Sequence, residues 1–298
     1  MRKAFTALLA LMLVAGFVSQ IGSPARAKQA SPGGVAVLSN SGDPFATVSV
    51  DAIADPFDGY DSSSPPPRGF RYVMLTVSIT NETEVPIQPY PYAVSVVDQD
   101  GFLAQSTYVY RTDTTVPDFP SDMIEPGATA TGALFFQVLA SSKLAEIVYE
   151  PDYSQLYLLA SDVAAPAPGA PITILGEEGG ELGAVTISDV TDPYKEVDPS
   201  YAPPRGYHYV AAPITFENTS SRPISVDPSM FMLVDGDGFA ATPSGAYRGD
   251  APDVPDFQYT DVAPGESLTG VVTYEVFNDA APARIYYSAS GTQLVTLV

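Results

Sequence analysis

Apolar and polar residues alternate along much of the chain. Val73, Leu75, Val77 and Ile79 alternate with Met74, Thr76, Ser78 and Thr80, and Leu134, Phe136 and Val138 keep the same period further on. A period of two places successive side chains on opposite faces of an extended strand, so each run predicts a strand with one buried face. The pattern returns downstream as Val210, Ala212, Ile214 and Phe216, and again as Val272, Tyr274 and Val276. Pro213 stands there in the place of Thr76, and a proline without a ladder donor predicts an edge strand or a bulge. Turn-forming stretches, Asn81-Glu82-Thr83, Asp98-Gln99-Asp100-Gly101 and Glu125-Pro126-Gly127, separate the runs. After residue 27 no segment carries a helical period longer than a turn or two. The pattern predicts an all-β fold of β-sandwich type.

The downstream runs belong to an internal repeat. Pro66-Pro67-Arg68-Gly69-Phe70-Arg71-Tyr72-Val73 returns as Pro203-Pro204-Arg205-Gly206-Tyr207-His208-Tyr209-Val210, an offset of 137 residues. The same offset relates Asp55-Pro56-Phe57 to Asp192-Pro193-Tyr194 and Asp100-Gly101-Phe102 to Asp237-Gly238-Phe239. After one inserted residue it becomes 138, matching Val116-Pro117-Asp118-Phe119 to Val254-Pro255-Asp256-Phe257. So long a period predicts tandem domains rather than a solenoid, whose units run ~20–50 residues. The expected organisation is a leader over 1–27, one immunoglobulin-like β-sandwich over 43–160, an Ala/Pro-rich linker over 161–171 and a second sandwich over 172–298.

The leader reading rests on Arg2 and Lys3, an apolar stretch from Ala7 to Val18, and Ala25-Arg26-Ala27, which predicts cleavage after Ala27 and export. The stretch is short of the ~20 residues of a membrane span, and no later run of that length follows. Cleavage removes three bases and no acid, taking the net charge from −22 to −25. Such a surface disfavours phosphate backbones and anionic lipid, so neither nucleic acid nor a membrane is an expected partner. The absence of cysteine excludes disulfides, thiol nucleophiles and lipid attachment through a cysteine.

The strand ending in Asn81 (Asn218 in the repeat), the Asp-x-Asp-Gly turn, Pro126-Gly127 with Gly132, and Pro264-Gly265 with Gly270 together resemble a bacterial family of telokin-like, immunoglobulin-like domains. That family is catalogued as a domain of unknown function and is similar to small secreted immunogenic proteins of actinobacteria. The resemblance implies an immunoglobulin-like sandwich at an extracellular address, with no catalytic residues to carry over. Many members carry an N-terminal lipid-modified cysteine, which this chain lacks.

Candidate chemistry is sparse. His208 is the one histidine and reads as an exposed strand residue, so no Ser-His-Asp triad is expected. No carboxylate pair stands out for glycoside hydrolysis, which remains the weakest alternative. Asp98 and Asp100, and Asp235 and Asp237, offer oxygens to calcium. The EF-hand glutamate is missing at loop position 12, where Val109 and Ala246 stand, so hairpin turns are the favoured reading. Calcium held by aspartates from several loops stays open as a calcium-binding adhesion alternative; otherwise no cofactor is expected. Tyr110, Arg111, Asp113, Asp118 and Phe119 recur as Tyr247, Arg248, Asp250, Asp256 and Phe257. The arginines are expected to pin a long connection by ion pairs and the phenylalanines to plug the sandwich end, or else the loop recognises a partner. Arg248-Gly249-Asp250 spells an integrin tripeptide, but the first copy reads Arg-Thr-Asp, which points to coincidence. Asn81-Glu82-Thr83 and Asn218-Thr219-Ser220 match the N-glycosylation acceptor and read as plain turns. The expected function is a secreted, monomeric, non-enzymatic module binding an extracellular protein or glycan. A structural spacer of the cell envelope is the alternative.

Overall fold

The structure, a computed structural model, describes residues 34–298 except 153, 177, 249–252 and 290. The expected leader with Ala27, and Gly249 and Asp250 of the connecting loop, lie outside the described residues. Among the described residues regular structure is strand, apart from single 3-10 turns at Pro91–Ala93, Pro199–Tyr201 and Pro228–Met230. No helix there is long and apolar enough to cross a membrane.

The first half comprises β1 (Val35–Leu38), β2 (Pro44–Ala54), β3 (Phe70–Asn81), β4 (Val94–Asp98), β5 (Leu103–Thr107), β6 (Thr129–Leu139), β7 (Leu144–Asp152) and β8 (Gln155–Ser161). They pair in the order β1-β2-β3-β6-β5-β4-β7-β8. The strands form two layers, β1-β2-β3-β6 and β4-β7-β8, and β5 joins them by pairing with both β6 and β4. The alternation read from sequence is what fills the space between the layers. Val73, Leu75, Val77 and Ile79 of β3 meet Leu134, Phe136 and Val138 of β6, all buried, together with Val94, Val96, Ile147 and Tyr149 from the facing layer. Removing such side chains from water contributes roughly 1.5–3 kcal/mol each, which makes this seam the main source of stability.

After 162–171, which hold no strand, follow β9 (Ile172–Leu175), β10 (Glu181–Ile187), β11 (Thr191–Tyr194), β12 (Tyr207–Asn218), β13 (Ile224–Val226), β14 (Phe231–Asp235), β15 (Ala240–Ala241), β16 (Thr260–Val262), β17 (Ser267–Phe277), β18 (Pro282–Ala289) and β19 (Gln293–Thr296). β17, β12, β10 and β9 form one layer, with β11 alongside β12, and β15-β14-β18-β19 form the other. Their core holds Val210, Ala212, Ile214 and Phe216 against Val272, Tyr274, Phe231 and Tyr287. Register repeats with the sequence offset. Phe70 faces Leu139 as Tyr207 faces Phe277, and Val94 faces Tyr149 as Phe231 faces Tyr287.

Pro213 corrects one expectation. β12 is an inner strand, flanked by β17 on one side and by β10 and β11 on the other. β10 ends opposite Ile214 and β11 begins opposite Ala211, so the proline sits where the neighbouring strand is interrupted. Its carbonyl accepts Ser188 N–H at 3.0 Å within that interruption. β2 carries a bulge at the corresponding place, between Val50 and Ala52. A partner strand that is already irregular tolerates the missing donor.

The two halves meet through reciprocal contacts. Leu156 N–H donates to the Gly238 carbonyl and Leu294 N–H to the Gly101 carbonyl, both at 2.8 Å. Ala240 N–H donates to Ser154 O as Leu103 N–H donates to Thr292 O. Gly101 and Gly238 have positive φ, and a Cβ on either would run into Val295 or Tyr157 of the opposite half. Between them lies a third apolar cluster of Val97, Val148 and Leu156 with their counterparts Val234, Tyr286 and Leu294. At its edge Glu146 and Arg284 form an ion pair at 3.4 Å.

Candidate functional site

The Tyr-Arg-Asp connection is built around its arginine. Arg111 is turned inward, its side chain only 7% exposed, and lies over the Phe135 ring. It donates to the Asp113 and Val116 carbonyls at 2.9 and 2.6 Å and to Asp118 Oδ1 at 2.8 Å. Arg248 repeats this with Asp256 at 2.5 Å and the Val254 carbonyl. Each guanidinium donates to its own loop, and Arg248 also bonds the Tyr194 side chain of β11, a forked use of donors that suits arginine and not lysine. The Val-Pro-Asp-Phe segment then docks on the sheet. Ala133 N–H donates to Pro117 O at 2.8 Å, and Val271 N–H donates to Pro255 O at 2.9 Å. Gly132 and Gly270 lie beneath this approach, where a Cβ would strike the backbone of Phe119 or Phe257. Phe257 is buried, and Phe119 is half-buried against the core. Asp113 is exposed, and its hydrogen bonds from Thr115 hold its carboxyl below the usual range. Tyr247 is half-buried, with its ring 5.5 Å from that of Tyr201.

The paired turns are closed by their first aspartate. Asp98 Oδ1 accepts the N–H groups of Asp100 and Phe102 at 3.0 Å, and Asp235 Oδ1 those of Asp237 and Phe239 at 2.9 Å. Asp98 and Asp235 are buried, while Asp100 is half-buried and Asp237 exposed. Burial raises the Asp235 pKa against those hydrogen bonds. Among the described residues no group of three or more His, Cys, Asp or Glu side chains is arranged to hold a metal ion.

Three residues behave differently from the sequence reading. His208 is not an exposed strand histidine: its side chain is 17% exposed and its Nε2 lies 2.7 Å from Asp192 Oδ1. In the first half the equivalent pair is Arg71 with Asp55, at 2.5 Å. The aspartate, just after β2 in the first half and within β11 in the second, reaches the base of the neighbouring strand in both places, and either base pairs with it. Asn81 and Asn218 are not merely turn residues. Both are fully buried, and the Asn81 amide donates to the Val85 and Ile124 carbonyls at 2.7 and 2.8 Å while its oxygen accepts from Thr83. Asn218 holds Arg222, Val262 and Ser220 in the same way. A buried, doubly donating amide is a clamp between loop and strand, inaccessible to glycan addition.

The site-like surface lies beside the connecting loop. Tyr108 and Tyr110 follow β5, are 71% and 63% exposed, and stack edge to face with centroids 4.9 Å apart. Tyr90, which caps the 3-10 turn leading into β4, and Tyr92, within that turn, are 51% and 78% exposed. Because β5 runs antiparallel to β4, both segments leave the sheet at one end, and the turn packs beside β5. Four large rings in solvent are an apolar surface with polar tips, the composition enriched at recognition interfaces. Sequence reasoning found Tyr110 and missed the other three. The signal was present in the repeat: Tyr90, Tyr92 and Tyr108 become Asp227, Ser229 and Gly245 at the 137-residue offset, so the rings belong to the first half alone.

Residues 183–293 match the model of a family described as a domain of unknown function, DUF4352. No curated protein matches the chain.

Proposed function

We propose that this is a secreted, non-enzymatic protein of two tandem immunoglobulin-like sandwiches that binds an extracellular protein or glycan. The tyrosine-rich end of the first sandwich is the recognition face. The observation that carries the reading is the exposure of Tyr90, Tyr92, Tyr108 and Tyr110 at one end of one sheet. The loss of Tyr90, Tyr92 and Tyr108 at equivalent positions of the second half, where only Tyr110 keeps a counterpart in Tyr247, argues against a role in folding. Tyrosine offers a large, stiff contact at low entropic cost, whether to a protein or to the face of a sugar ring. The tandem reading draws support from the 137-residue repeat, the matching registers and the reciprocal junction.

The experiment is capture of partners from native medium and envelope by the mature chain. It is run beside a Tyr92→Ser, Tyr108→Gly double variant, which installs the second half's own residues. The expected result is a bound species lost in the variant while the melting temperature stays unchanged. Equal capture by both proteins would overturn the assignment of the face.

A further inference from the structure

The two halves enclose related clefts that are filled differently. In the second half, the Phe277 ring lies between those of Tyr207 and Phe239, with centroids 4.6 and 5.5 Å away, and the cleft there measures about 250 Å³. The first half has Phe70 and Phe102 in the flanking places but Leu139 in the middle. A leucine is too short and too narrow to bridge two rings. Leu139 is accordingly left 40% exposed, and the cleft opens to about 520 Å³. That volume suits a small molecule, and the cleft lies at the junction of the two halves, where ligand sites concentrate.

The chain itself shows what fits between such walls: an aromatic ring. The polar side of the cleft narrows the choice further. Asp98, Asp100 and Glu178 line it, the last contributed from across the junction. Asp98 is tied to its turn, and Arg71 below is held by Asp55 and by the carbonyls of Leu139 and Ser142. Asp100 and Glu178 are more open to solvent, and they favour a cation over an anion.

We infer that the cleft of the first half binds a small aromatic cation. Its ring takes the place that Phe277 occupies in the second half, and its ammonium group faces Asp100 and Glu178. This site is separate from the tyrosine face and stands or falls independently of it.

Tryptamine is a suitable probe, because the chain contains no tryptophan and the indole emission reports the ligand alone. Titrated into the full mature chain, tryptamine is expected to show saturable binding. Neutral 3-methylindole should bind about tenfold more weakly, and indole-3-acetate more weakly still, as loss and then reversal of one charge contact implies. Leu139→Phe closes the cleft as the second half does, and should abolish binding with the melting temperature maintained. Ala104→Leu reaches the same space from β5 and serves if Leu139→Phe does not fold. Asp100→Asn should bring tryptamine down to the level of 3-methylindole. The inference is overturned if tryptamine does not saturate at millimolar concentration, if the cleft-filling variants bind it as the parent does, or if the acid binds as well as the amine.

Discussion

Glu146 and Arg284 occupy the same place in their two strands and face each other across the junction. Glu146 lies opposite Val97 in the β4–β7 ladder, and Arg284 lies opposite Val234 in the β14–β18 ladder. The reciprocal junction thus places an acid of one half against a base of the other. Two copies of the first half joined in this way would set acid against acid, and two of the second would set base against base. Like charges at a buried contact are unfavourable, so the pair favours association of unlike halves. Arg284→Glu should therefore lower stability by about 3–5 kcal/mol in urea unfolding. Adding Glu146→Arg to that variant should restore most of the loss; failure to restore it would mean that the pair is incidental.

The same carboxyl has a pH signature. Glu146 is buried, one of its oxygens accepts no hydrogen bond, and burial raises its pKa above the ordinary glutamate value despite Arg284 and Thr296. A raised folded-state pKa means that the folded chain binds the proton more tightly, so this contribution to stability is greatest in acid and declines as pH rises beyond about 4.5. The melting temperature of Glu146→Gln should equal that of the parent near pH 4 and exceed it near neutrality. A constant difference across that range would contradict the assignment.

Asn218→Ala takes a donor from the buried Val262 carbonyl and another from the half-buried Arg222 carbonyl, and Asn81→Ala does the same to Ile124 and Val85. Each should cost about 1–3 kcal/mol by denaturant unfolding, as expected when one buried acceptor is stranded. A smaller loss, within 0.5 kcal/mol or so, would show that the loops hold without the clamp.

Arg111→Ala should free the loop over 111–119 at a cost of about 1–3 kcal/mol, with faster amide exchange at Ala133, whose N–H donates to Pro117. Arg111→Lys should not rescue it, because a single ammonium cannot reach the Asp113, Val116 and Asp118 oxygens together.

Addition of a chelator should leave the melting temperature unchanged. One oxygen each of Asp98 and Asp235 already accepts two backbone N–H groups of its own turn. A drop of several degrees would restore the calcium reading.

The all-β fold was legible in the chain, because a period of two has one physical meaning wherever one face is buried. The repeat at 137 and 138 residues was legible as well, and with it the equivalence of Arg111 with Arg248 and of Asp98 with Asp235. What those residues do was decided by the tertiary structure. Arg111 turns inward, Asn81 is buried, His208 finds Asp192, and three tyrosines missed in the sequence stand out at one end of a sheet. The junction is further still from the sequence pattern: Glu146 and Arg284 are 138 residues apart and meet only because the halves pack reciprocally. Alternation records which side of a strand is buried. It carries no record of which strands lie beside one another, so contacts between distant segments emerge only when the chain is folded.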